Sequence, residues 1–480
     1  MPAKTGREYV ERIDEAAANV WIDGQQVKNK FSKHPAFKNM METQAHLYDM
    51  QYDDDHQQTL TYESPLSGDP VGVSYKIPRT KEDLLQRGET FKRWADETGG
   101  MLGRSPDYMN TAIMTFGSAA ELFGDKADHV KQYYQFCREN DITLTHTFIK
   151  PQVDRSSTYS EETNEQPITA QIVDQDENGI VVHGARLLAT QGATSDEILV
   201  FPSGTMVQPL TGNPHAMAFA IPTATPGLRF ICRESYEGDR SSFDRPLSAK
   251  FDEIDTLVVF DQVKVPWERV FIAGEAYLAN RVFSDTSFTE HAAHQAAYRQ
   301  IAKTEFLLGL LQMVIDTINV SEFGHIQEKT AEVIVALEAM KGLLLAEETN
   351  ARPNEWGVVT PDKRPLLALM NYYPRIYPRI SEILQTIGAS GLIMLPTEAD
   401  FQSDRRNDLE QYMQAANATA VDRVKTFRLA WDACMSSFGT RQTQYEKYFF
   451  GDPVRLAGRL YNEYDRKTLT DHVLKFLNTH

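Results

Sequence analysis

The chain carries only three cysteines, Cys137, Cys232 and Cys434, widely spaced and without a CxxC pair. Such usage encodes neither a disulfide framework nor a cysteine-rich zinc site, and it fits a reducing compartment. Long apolar runs are also missing: the richest stretch, Phe306 to Ile318, is interrupted by Gln312 and Asp316 and falls short of the ~18 residues of a membrane span. The opening MPAKTGREYVERIDEAA is polar, with no apolar signal core, so a cytoplasmic protein is predicted. Positive charge is scarce. Over 480 residues, 49 Lys and Arg stand against 67 Asp and Glu, a net charge of −18. A surface that acidic repels phosphate backbones and anionic lipids, which argues against nucleic acid and membrane partners. Familiar motifs are absent as well: no GxGxxG after a strand, no GxxxxGK[ST], no HExxH and no GxSxG. A nicotinamide cofactor, if one takes part, must act on another protein.

What is present divides into three textures. Residues 1–141 are mostly helical, with Leu84, Leu85, Phe91 and Trp94 placed near one face of a helix over Lys81–Thr98, capped by Thr80. A second, more apolar helix is predicted over Tyr108–Phe123. Residues 142–275 are rich in short β-type runs separated by turn signals; Asn178-Gly179 reads as a hairpin turn because both residues tolerate positive φ. Several short strands at this spacing predict a small barrel or sandwich. From 276 to 480 the helical period returns, with Val333, Ile334, Leu337, Met340, Leu343 and Leu344 on one wide face. Pro374 and Pro378 are expected to lead into a helix over Ile380–Ile387. The fold class read from this order is α+β.

Taken as residues alone, the polar candidates admit plain readings. Gly103-Arg104-Ser105-Pro106-Asp107-Tyr108 is a well-capped helix start, or it places Arg104 and Tyr108 four apart to meet an anionic oxygen. His146 lies in an alternating strand, followed by the polar loop from Pro151 to Arg155. His291-x-x-His294 has helical spacing for a metal, but no acidic or cysteine ligand accompanies it, so a structural pair is expected and no metal.

Read in order, GRSPDYMN, the His146 strand into PQVDRS, GARLLAT, DEILVFPS, AFAIPTATPGL, VVFDQVKVPWERVFI, QTIGASGLIMLP and YFFGDPVR resemble the two-component, FADH2-dependent phenol hydroxylase family of 4-hydroxyphenylacetate 3-monooxygenase oxygenase components. The resemblance covers nearly the whole chain. It implies an acyl-CoA dehydrogenase-like fold: an N-terminal helical domain (1–141), a middle β-barrel domain (142–275) and a C-terminal four-helix bundle (276–480). It also implies a homotetramer or dimer of dimers, a separate flavin reductase that supplies reduced FAD, and O2 and a phenol as substrates.

The implied reaction places one oxygen atom on the ring carbon ortho to a phenol hydroxyl. A phenolate is the better nucleophile, but its ordinary pKa is ~10, so the site needs a cation and a proton acceptor at that oxygen. By resemblance, Arg104 and Tyr108 bind the phenol oxygen, and His146 is the base or hydrogen-bond partner. Thr190 is similar to the residue near flavin N5. Gln152, Val153, Asp154 and Arg155 match the flavin-binding loop, and Asp452, Pro453, Val454 and Arg455 a second flavin-contacting stretch. Gln385, Gly388 and Ser390 match a segment reaching the FAD of a neighbouring subunit; a glycine-containing helix break is the alternative. Ser203 and Gly204 are placed at the substrate tail. Two other readings stay open: a 4-hydroxybutyryl-CoA dehydratase-like enzyme, whose iron–sulfur cluster needs several close thiolates, and a non-catalytic flavin-binding relative.

Overall fold

A computed structural model describes residues 2–153, 167–202, 206–237 and 240–478. Two compact units emerge: Met1–Lys303 with Arg352–Thr360, and Thr304–Ala351 with Pro361–His480.

In the first unit, helix Lys81–Glu97 starts at a capping box in which Thr80 and Asp83 satisfy each other's backbone N–H groups. It buries Leu84, Phe91 and Trp94 but leaves Leu85 nearly half exposed, one position off the apolar stripe. The next helix runs Pro106–Ser118 rather than to Phe123. Beyond it the chain tightens into a 3₁₀ segment, Ala120–Lys126, in which Gly124 takes a positive φ.

The β region forms two open sheets, not the expected closed barrel. In spatial order, the six-stranded sheet is Gln25–Gln26, Val20–Ile22, Leu228–Cys232, Asp255–Pro266, Gly179–Thr190 and Gln171–Asp176. The four-stranded sheet is Val270–Ala273, Met217–Pro222, Glu197–Val200 and Leu144–Thr147. Val20–Ile22 pairs parallel to Leu228–Cys232, and Leu144–Thr147 parallel to Glu197–Val200. One apolar cluster draws on both sheets, including Val182, Phe230 and Phe260 from one and Ile198, Val200 and Phe219 from the other; each such side chain contributes ~1.5–3 kcal/mol of burial.

Along one corner the sheets are joined by side chains rather than by a ladder. Thr145 Oγ1 donates to Thr190 O and Thr147 Oγ1 to Leu187 O, both at 2.7 Å. A backbone bridge between Ile149 and Leu187 adds to them.

The hairpin at 176–179 is present, but its turn residues are Glu177 and Asn178, and Asp176 pairs with Gly179. Gly179 is needed for proximity: a Cβ there would stand 2.0 Å from Val265 O.

In the second unit, helix Lys363–Gly388 packs against Gly324–Thr349, Ala420–Cys434, Ser437–Tyr448 and Pro453–Glu463. Pro374 and Pro378 lie inside that helix instead of preceding it. A proline in a helix interior costs ~3 kcal/mol. Here the stripe Leu366, Leu369, Met370, Tyr373, Tyr377, Ile380, Ile383 and Leu384 is buried along the whole length and outweighs it. Helix Gly324–Thr349 buries Val333, Leu337 and Met340, whereas Ile334, Val335 and Leu345 are exposed. Among the described residues, no helix is long and apolar enough to cross a membrane.

Candidate active site

Helix Pro106–Ser118 is buried over its first eleven residues, so its start is fixed from all sides. Ser105 is the N-cap and Pro106 opens the helix. The Ser105 hydroxyl donates to Asp107, which also accepts from Gln295 Nε2 at 3.0 Å. Burial raises the Asp107 pKa, and those two donors pull against it.

Arg104 precedes the cap, so it does not share a helix face with Tyr108 as the spacing suggested. It folds back instead, and its guanidinium carbon lies 4.6 Å from the Tyr108 ring centroid. Burial raises the Tyr108 pKa, opposed by Arg104 and Arg299.

His146 arrives from the strand Leu144–Thr147. The two-residue period sends Thr145 and Thr147 toward the six-stranded sheet and His146 to the opposite face. Arg104 Nη2 donates to His146 Nε2 at 3.4 Å. The Met109 thioether lies 3.1 Å from Nδ1. A guanidinium is donor only, so Nε2 accepts and the ring's own proton sits on Nδ1, facing the sulfur. Burial first, then Arg104, hold the His146 pKa well below the usual histidine range. The ring stacks parallel to Phe148 with centroids 5.5 Å apart, and meets Tyr108 at 5.8 Å and Phe201 at 5.3 Å. Phe201 joins Phe116, Phe283 and Phe288. The result is a neutral imidazole and a guanidinium set among aromatic rings.

Thr190 ends the strand Gly179–Thr190. It is buried, and its hydroxyl donates to Asp255 Oδ1 at 2.8 Å across a register pair. Its oxygen is left to accept. Two residues earlier, the ladder opposes Leu187 and Leu188 to Leu257 alone, a β-bulge. Leu188 there has φ +61° and is 54% exposed. The bulge thus turns a large apolar side chain outward beside a buried acceptor. That pairing suits a flat heterocycle with an N–H at its edge, as a reduced flavin has at N5.

The remaining predicted residues are placed as follows. Gln152 and Val153 are exposed. Asp154, Arg155, Ser203 and Gly204 lie outside the described residues. Gln385, Gly388, Ser390 and Asp452–Arg455 belong to the second unit. Gln385 Nε2 donates to Cys434 O at 2.7 Å. Gly388 ends its helix, and a Cβ there would meet the Leu392 side chain at 2.6 Å; at Gly391 it would meet the Phe427 ring at 2.5 Å. At both glycines a side chain would crowd a packed neighbour. Asp452 caps helix Pro453–Glu463 by accepting from the Val454 and Arg455 N–H groups, and Val454 and Arg455 are exposed. His291 and His294 are buried; His294 packs edge-on against Phe91 and Tyr298. No metal-binding cluster occurs among the described residues.

Sequence reasoning missed Met109, Phe148, Leu188, Glu253 and Asp255. Met109 and Phe148 stand inside motifs already singled out. Glu253 and Asp255 had one signal, two carboxylates at strand spacing just before a β-type run.

Comparison with known proteins adds the following. Residues 5–272 match the family model described as 4-hydroxyphenylacetate 3-hydroxylase N terminal, and residues 279–478 its C terminal counterpart. The chain is similar to the 4-hydroxyphenylacetate 3-monooxygenase oxygenase component of Geobacillus sp. (strain PA-9), 45% identical over 99% of this chain and 97% of that protein. It superposes on a solved oxygenase component of 4-hydroxyphenylacetate 3-monooxygenase, complexed with FAD and 4-hydroxyphenylacetate. The TM-score is 0.93 at 44% identity, over 99% and 98% of the two chains. An archaeal 4-hydroxybutyryl-CoA dehydratase gives a TM-score of 0.87 at 20% identity, over 99% and 95%, a likeness of fold alone.

Proposed function

Because the chain belongs to the 4-hydroxyphenylacetate 3-hydroxylase family, we propose that it is the oxygenase component of a two-component monooxygenase. It hydroxylates 4-hydroxyphenylacetate, or a related phenol, ortho to the existing hydroxyl. It uses FADH2 delivered by a separate NAD(P)H:flavin reductase, together with O2. When bound, the reduced flavin supplies the activated oxygen.

One observation carries the reading: a guanidinium and a neutral imidazole meet at 3.4 Å among aromatic rings. The phenol oxygen accepts from Arg104, whose fixed charge lowers the phenol pKa. Nε2 of His146 accepts a hydrogen bond from the phenol hydroxyl in place of the one from Arg104. Full transfer in the ground state is unfavourable, because burial and Arg104 both oppose an imidazolium. His146 therefore holds the proton in a hydrogen bond that tightens as electron density moves into the ring. Tyr108 supports the Arg104 side chain and lends a second hydroxyl to the phenol oxygen. Thr190 would offer its hydroxyl oxygen to the N5–H of a bound reduced flavin, and residues 152–155 and, separately, Asp452–Arg455 would serve as further flavin-binding stretches. Ser203 and Gly204 hold the substrate tail, and Gln385 and Gly388 serve the flavin of a neighbouring subunit.

Association between copies, read here as a homotetramer or dimer of dimers, is supported by the exposed apolar side chains Ile334, Val335 and Leu345, and by Leu469, Val473 and Phe476 near the C-terminus. Residues 276–480 form the assembling helical bundle in this reading, and 1–141 and 142–275 carry the phenol-binding groups. A cytoplasmic location suits the reductase partnership.

The test is direct. The protein, chemically reduced FAD, air and 4-hydroxyphenylacetate are mixed without added iron and assayed for a catechol. Catechol supports the reading; hydrogen peroxide as the only product, across a panel of phenols, rejects it.

A further inference from the structure

The segment between Phe251 and Asp255 reaches both halves of the candidate site. Glu253 is 1% exposed. Its Oε2 accepts from the Gly103 N–H at 2.9 Å and its Oε1 from the Arg104 N–H at 2.6 Å. Oε1 also accepts from Gln191 Nε2 at 3.3 Å, and the same amide reaches Arg104 O at 3.3 Å. An irregular loop must find partners for its buried backbone groups, and here one carboxylate takes two consecutive amides of the loop that carries Arg104. On its other side that loop is fixed by Gly100, at φ +68°, where a Cβ would lie 2.5 Å from Arg299 O.

Two residues along, Asp255 receives the Thr190 hydroxyl. Gln191, next to Thr190, has φ +59° and donates its backbone N–H to Ile254 O at 3.0 Å. Arg233 secures the segment from outside, donating to Asp252 Oδ1 at 2.7 Å, Asp255 Oδ2 at 3.2 Å and Glu253 O at 3.1 Å.

We propose that Asp252–Asp255 is a positioning element, with Glu253 its principal residue, that sets the register between the phenol-binding Arg104 and Thr190. The functional meaning rests on the reading above; the clamp itself does not. Glu253 touches neither substrate nor cofactor in this scheme and acts through the Arg104 backbone.

Glu253→Gln keeps the volume but replaces a charged acceptor with an amide, and should be compared with the wild type as full-length protein reconstituted with FAD. Hydrogen exchange at Gly103 and Arg104 should accelerate about ten-fold or more, as expected for loss of a charge-assisted bond. KM for 4-hydroxyphenylacetate should rise by a similar factor, and more of the oxygen consumed should appear as hydrogen peroxide. Asp255→Asn should raise the peroxide share with little change in KM. If Glu253→Gln does not fold, Glu253→Asp serves, with a smaller shift in both readouts. Unchanged exchange at Gly103 and Arg104, or faster exchange with KM and coupling unmoved, overturns the proposal. A wild type that makes no catechol from any phenol defeats the functional reading instead, and the exchange measurement still decides whether Glu253 clamps the loop.

Discussion

Arg104 Nη2 and His146 Nε2 stand 3.4 Å apart, the one on the loop before a buried helix and the other on a strand of the four-stranded sheet. The contact fixes two properties at once. The imidazole must stay neutral to accept from a cation, and the guanidinium is held against an acceptor that stays uncharged.

Replacing Arg104 should therefore be costly. Arg104→Ala is expected to lower catechol formation about 10²-fold or more, in the range seen when a fixed donor to a developing oxyanion is removed. FAD binding, followed by fluorescence, should persist. Arg104→Lys should restore little, because a point charge on a flexible stem does not reproduce the planar contact over Tyr108.

His146→Ala should lower catechol formation by roughly 10²-fold. Its effect on stability has the opposite character. The folded His146 pKa lies well below its ordinary value, as does that of His291. Below about pH 6.5 the unfolded chain binds protons that the native state refuses, so stability falls as pH drops through that range. Each group contributes up to ~1.4 kcal/mol per pH unit there. Denaturant titrations from pH 7 to 5 should show a shallower decline for His146→Asn than for the wild type.

At Thr190, removal of the hydroxyl should divert oxygen rather than stop its consumption. Thr190→Ala should raise the hydrogen peroxide to catechol ratio about ten-fold, and Thr190→Ser, which keeps the bond to Asp255, should stay near wild type. Stopped-flow flavin oxidation with parallel product assay separates the outcomes.

Gly179→Ala tests the sheet rather than the chemistry. The added methyl would collide with Val265 O, so a loss of roughly 3 kcal/mol is expected from overpacking and strand displacement. The midpoint of thermal unfolding measures it.

Much of the site was legible because its motifs are local. GRSPDYMN brings Arg104, Tyr108 and Met109 together within one turn of a helix start, and alternation around His146 decides which face it occupies. What escaped was non-local. Nothing in the runs near residue 20 announces that Val20–Ile22 will lie beside Leu228–Cys232, because strand pairing is written in neither segment alone. Closure of the β region failed as an expectation for the same reason. Short strands with turn signals serve open sheets and barrels equally, and the corner here is made by Thr145 and Thr147 side chains. Pro374 and Pro378 misled because a local rule was overridden by burial along the whole helix.

The parallel pairing of Val20 with Phe230 also bears on biosynthesis. Val20–Ile22 leaves the ribosome early and pairs on one side with Gln25–Gln26, but its other edge has no strand until the segment at 228–232 has followed. Closing so long a loop is slow, and the wait exposes an unpaired edge. Extra residues fused before Met1, or deletion of the first twenty, should accordingly be felt as a lower yield of soluble protein rather than as altered catalysis.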